Sequence, residues 1–180
     1  DVVHAHRHQV DADRVVVDQR GIASTGTVTR VDLVAMKATQ TIPVGLHPSA
    51  LYWDESRARL YVANSNSDSV SVINTETDVV TQTIPIQPFD RKVSGIAPNG
   101  LAESGDGKTL YVACGGINAV AVIRVADSLI EGLIPTAWYP NDLRMSSDGE
   151  YLVVANLMGV GPGGAPEDIE RVAKQDHLET

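Results

Sequence analysis

The chain has 180 residues, 43% of them hydrophobic and 21% charged, with 14 basic side chains against 23 acidic ones and a net charge of −9. That is enough for one domain or two very small ones. The apolar runs are too short for a membrane span, the negative field repels nucleic-acid backbones, and a lone cysteine, Cys114, closes no intrachain disulfide.

Because the chain starts at Asp1 rather than Met, it is expected either to have lost a leader or to be an excised piece of a longer protein. Residues 1–13 form an N-terminal segment in which 4–10 supply a candidate strand. Short, β-branched, alternating runs then read as strands at 14–18, 27–33 and 37–43. The clearest set follows at 49–53, 59–64, 69–74 and 78–84, its first pair joined by a turn at Asp54-Glu-Ser-Arg57. Residues 87–95 are polar and glycine-containing and read as a loop. Strands resume after Pro98, with Asp106-Gly107 and Asp148-Gly149 marking hairpin turns. After 141–145 and 151–156 come a glycine-rich exit from Gly159 and a helix predicted over 166–177, opened by Pro166-Glu-Asp168.

These strands repeat. Leu60-Tyr-Val-Ala-Asn64 returns as Leu110-Tyr-Val-Ala-Cys114 and Leu152-Val-Val-Ala-Asn156, 50 and then 42 residues later. Pro48, Pro98 and Pro140 keep the same two spacings, and Thr39-Gln-Thr-Ile-Pro43 recurs letter for letter 42 residues on, at Thr81 to Pro85. The basic unit is therefore 42 residues, and the second unit carries eight more, placed in 87–95. Four short antiparallel strands per unit is the arithmetic of a β-propeller blade. A lone sheet of this size leaves two apolar faces in water, so the units must stack. The fold class predicted is all-β: a propeller segment of about three to four four-stranded blades, with a short C-terminal helix. The blades are bounded at 14–44, 49–86, 99–135 and, incompletely, 141–156, and 157–180 form the exit and helix.

The segment from Leu60 to Asn74, followed by Thr81 to Pro85, resembles the "YVTN" repeat of YncE-like propellers. Residues 107–123 and 131–140 look more narrowly like bacterial proteins that join such a propeller to an alkaline-phosphatase-like phosphoesterase domain. The similarity covers about residues 26–160. It implies a seven-bladed propeller in a secreted or periplasmic protein, of which this chain holds part, and hence an open arc whose edges the remainder of the ring, another domain or another copy must cover. The phosphoesterase's metal ligands and nucleophile lie beyond the propeller in that family and have no counterpart here.

Three groups of residues invite a functional reading. His4, His6 and His8 alternate so that a strand would put three imidazoles on one face, a divalent-metal arrangement; the plainer reading is a frayed chain end. His47, Ala97 and Tyr139, with Trp138 adjacent, precede the three prolines and belong to loops that ring a propeller mouth, where a ligand could meet His47, Trp138 and Tyr139; the alternative is packing between blades. Gly159, Gly161 and Gly164 match a dinucleotide fingerprint in form only, since no second parallel strand and ribose-binding acid follow. Cys114 reads as a small buried residue without a base beside it. The function expected is a non-catalytic scaffold or recognition domain. The enzymatic alternatives are the propeller portion of a phosphoesterase or a lactonase-type propeller hydrolase.

Overall fold

A computed structural model describes residues 26–159. His4, His6 and His8, the strand predicted at 14–18 and the helix predicted at 166–177 lie outside the described residues. Twelve strands follow in order: β1 (Gly26–Asp32), β2 (Lys37–Val44), β3 (Pro48–Asp54), β4 (Arg59–Asn64), β5 (Ser69–Asn74), β6 (Val79–Pro85), β7 (Pro98–Glu103), β8 (Thr109–Cys114), β9 (Ala119–Arg124), β10 (Leu129–Pro135), β11 (Pro140–Met145) and β12 (Leu152–Asn156). They form two four-stranded antiparallel sheets, β3-β4-β5-β6 and β7-β8-β9-β10, flanked by the hairpins β1-β2 and β11-β12.

The repeat seen in the letters is a repeat in space. Leu60, Leu110 and Leu152 are the second residues, or the first, of β4, β8 and β12, and each lies opposite the residue near the end of its sheet's innermost strand: Trp53, Glu103 and Met145. The innermost strands β3, β7 and β11 adjoin one another in succession, as blades around an axis require.

Two irregularities recur with the same spacing. Each innermost strand carries a bulge at its second residue, Ser49, Asn99 or Asn141, which the register skips. Each outer strand skips Thr39, Thr81 or Glu131. The hydroxyls of Thr39 and Thr81 donate to the carbonyls of Arg30 and Val72 on the neighbouring strand. The repeated Thr-Gln-Thr-Ile-Pro motif is thus a bulged outer strand, its first threonine satisfying a carbonyl that the interrupted ladder leaves over. Left-handed backbone recurs as well: Met36, Asp78 and Ser128, all with φ near +50 to +59°, turn the outer hairpin of each unit.

Burial follows from stacking. All but the last residue of β5 are buried, because both of its faces meet protein, whereas β6 and β10 are largely exposed at the periphery. Between the two complete blades lies the main core, which includes Tyr61, Val70, Val72, Ile84, Leu101 and Leu110. Smaller cores join β1-β2 to the second blade through Ile42, Val62 and Ile73, and the third blade to β11-β12 through Ala102, Ala113, Val120 and Leu143. The predicted turn at Asp54 is a single turn of 3-10 helix, Glu55–Arg57, capped by the Asp54 carboxylate on the Arg57 N–H.

Candidate functional site

The end of the sheets where the innermost strands begin is built by one device used three times. His47, Ala97 and Tyr139 each stand before a proline with φ of +54, +52 and +58°. Non-glycine residues adopt this region at a cost, and here a backbone clasp holds it. The His47 carbonyl accepts from the Ser65 N–H at 3.0 Å and the Leu46 carbonyl from the Asn66 N–H at 3.2 Å. The same pair recurs as Ala97 with Gly115 and Ile96 with Gly116, and again as Tyr139 with Leu157 and Trp138 with Met158, all between 2.9 and 3.1 Å.

A second tie crosses from blade to blade. The Asp68 carboxylate accepts the N–H groups of Gly95 at 2.8 Å and Ala97 at 3.0 Å. The Asn118 side-chain oxygen, at the equivalent place one unit on, accepts the Tyr139 N–H at 2.9 Å. Beside this latch the bulged Ser49 shares a hydrogen bond with Ser65 at 2.7 Å, and Ser65 reaches both the Pro98 carbonyl and the Asn99 side chain at 2.8 Å. Sequence reasoning missed Asp68 and Asn118, although two Asx residues at the repeat spacing were the available signal.

The three rim positions thus occupy equivalent places on successive blades. His47 is exposed, Trp138 is 40% exposed and Tyr139 is half-buried. The Tyr139 ring lies against Gly115, where a Cβ would come within 2.9 Å of it, so this tyrosine serves the seam as well as the rim. Among the described residues no cluster of three or more His, Cys, Asp or Glu is placed to hold a metal ion. Cys114 ends β8, wholly buried, in the slot that Asn64 and Asn156 fill in the neighbouring sheets. Burial pushes its thiol up to about 12, so it is protonated at neutral pH and a poor nucleophile.

At the opposite end of the same seam lies a charge cluster of two buried carboxylates and a partly exposed arginine. Arg57 donates to the Asp54 carboxylate at 3.1 Å and to the Asp106 carbonyl of the next blade at 2.9 Å, with the Glu103 carboxylate 4.0 Å away. Its guanidinium rests on Gly107, where a Cβ would stand only 1.8 Å from Nη1. The side chains of Asp54 and Glu103 are 5% and 3% exposed. Burial first, and then the charge of Asp54, raises the Glu103 carboxyl above its ordinary range. Burial acts in the same direction on Asp54, but hydrogen bonds from Ser56 and Arg57 and the Arg57 charge hold it below the usual range. Among the described residues Glu103 Oε1 and the Tyr61 hydroxyl have no hydrogen-bond partner. An acid at Glu103, in a register that reads Trp53 and Met145 in the other units, was visible in the sequence as an anomaly.

Comparison with known proteins agrees with this geometry. No family model matches the chain. It is similar to the seven-bladed β-propeller protein Rv1057 of Mycobacterium tuberculosis, with 38% identity over 98 residues, 53% of this chain and 23% of that protein. Among solved structures it is similar to the hydrazine synthase of Kuenenia stuttgartiensis, with 32% identity and a TM-score of 0.63 over 76% of this chain and 40% of that one. It shares a fold, at 18% identity and a TM-score of 0.52, with the β-propeller domain of Myceliophteria thermophila Cps50 (Swd1), covering 66% of this chain and 35% of that one. The chain therefore spans under a quarter of the curated relative's length and two fifths of the hydrazine synthase chain. Repeated four-stranded sheets, innermost strands in succession and two similar proteins named as propellers identify the fold of the chain as a partial β-propeller.

Proposed function

We propose that the chain contributes blades to a larger propeller ring that works as a recognition scaffold, with the clasped loops of His47, Ala97 and Tyr139 forming its working rim. One observation carries this reading. Leu101 and Leu143 are 2% and 1% exposed, but Leu51, at the same register one unit earlier, is 57% exposed, and Trp53 beside it 63%. At the other end Val153 is 63% exposed, although Tyr61 at the equivalent position of the second blade is 2% exposed. These faces are covered wherever a described blade stands next to them, so what suits them is further blade structure, from residues of this chain outside the described ones, from a longer polypeptide or from another copy.

The resemblance of Leu60 to Asn74, followed by Thr81 to Pro85, to the YVTN repeat supports assignment to the YVTN-type propellers, and with it an extracytoplasmic setting. His47 and Trp138, exposed on the rim, are the side chains best placed to meet a ligand, with the half-buried Tyr139 next to Trp138 as a third candidate. Solution scattering with mass determination tests the ring. The chain is expected as an open arc when monomeric, or as an assembly of more than one copy. A closed monomeric ring would contradict the proposal.

A further inference from the structure

We propose that residues 86–97, the loop between β6 and β7, form a docking element for an acidic protein segment bearing apolar side chains. The inference rests on the recognition reading above and names the partner's chemistry. The equivalent connections are 45–47 and 136–139, three and four residues long, so twelve residues are not needed to join one blade to the next. Ordering the extra ones costs conformational entropy, and the chain spends contacts on holding their base. Ile86 and Ile96 are wholly buried. The Gln87 side chain both accepts the Val93 N–H and donates to the Val93 carbonyl, each at 3.1 Å, closing the loop like a rung of sheet. Asp68 grips the Gly95 and Ala97 N–H groups.

The tip held up by this base is unlike the rest of the surface. It carries the chain's single phenylalanine, Phe89, 42% exposed. It also carries Arg91-Lys92, the one adjacent pair of Lys or Arg residues in a sequence of net charge −9. Among the described residues Arg30, Arg57, Lys108, Arg124 and Arg144 sit in ion pairs, whereas Arg91 and Lys92, like Lys37 and Arg59, are in none. Beside the tip is a concavity of about 520 Å³ lined by Asn66, Ser67, Lys92 and Ser94. An exposed aromatic next to two cations that no described residue pairs, on a pre-organised loop, is the composition of an interface centre. Carboxylates answer its charge, and an apolar side chain answers Phe89.

The probe is a short fluorescein-labelled peptide of alternating glutamate and leucine, titrated against the full chain by anisotropy. Controls replace glutamate by lysine, or leucine by serine. The native chain is expected to bind the probe, more weakly at higher salt, and to prefer it to both controls. The double variant Arg91→Ser/Lys92→Ser and the variant Phe89→Ala should each lose about tenfold in affinity. Lys108→Ser, which removes a cation away from the loop, should leave it unchanged. All these positions are exposed, and unchanged circular dichroism confirms the fold in each case. No binding by the native chain, or equal binding by all variants, overturns the proposal. Either result leaves ring closure untouched, because scattering reads that separately.

Discussion

The Asp68 carboxylate accepts the Ala97 N–H at 3.0 Å, tying the turn between β4 and β5 to the entry of the next blade. Asn118 does the same for Tyr139. The latch fixes a left-handed residue before a proline, so one side chain stabilises both the seam and the rim. Asp68→Ala strands two N–H groups and is expected to lower stability by about 1–3 kcal/mol. Asp68→Asn keeps one acceptor oxygen and should cost less. Urea denaturation of both variants, read by circular dichroism, checks the order.

Leucines at one register differ in what they meet. Leu101→Ala opens a cavity in the main core and should cost about 2–5 kcal/mol. Leu51→Ala, on the uncovered face, should stay within roughly 1 kcal/mol in the isolated chain. Equal losses in denaturation midpoint would mean that Leu51 is covered in the chain alone.

Glu103 gives a pH dependence of definite sign. Its folded carboxyl is held above the ordinary 4.5 by burial and by Asp54, so its contribution is fully present at pH below 4.5 and is lost as pH rises through the higher folded value. Asp54, held below 3.8 chiefly by Ser56 and Arg57 against the effect of burial, acts oppositely: its contribution is present above 3.8 and is lost as pH falls through the lower folded value. Stability from this pair should therefore peak on the acid side of neutrality. Arg57, Arg59, Tyr52 and Tyr61 also face the cluster. Glu103→Gln should stabilise the chain at pH above the folded value and flatten the decline that sets in as pH rises above 4.5. A wild-type pH profile retained in the variant would assign the decline to other groups.

Cys114 should resist alkylation. With its thiol buried and raised to about 12, iodoacetamide at pH 8 is expected to label it only in denaturant. Mass spectrometry of the native and unfolded chain reads the difference directly.

The strands were legible in the sequence because stacking imposes the same alternation on each unit, so errors in one copy are corrected by the others. Arg59–Asn64 and Ser69–Asn74 coincide with their predicted ranges for this reason. The rim prolines were legible too, since Pro48, Pro98 and Pro140 recur at the repeat spacing. The bulges at Ser49, Asn99 and Asn141 were not, because a skipped residue leaves no mark in hydrophobic periodicity. The partners of Asp68 and Arg57 were equally hidden. Each contact crosses a seam between units, with the latch closing over 29 residues and the Arg57 bond over 49, and no local pattern encodes such a distance.

Methyl and aromatic nuclear Overhauser contacts provide the most direct examination of blade stacking. Leu101 methyls should contact the second blade's Tyr61 and Val72, and Leu143 methyls should contact the third blade's Ala113 and Val120. Contacts confined to each leucine's own sheet, with none to the preceding one, would contradict a propeller arrangement.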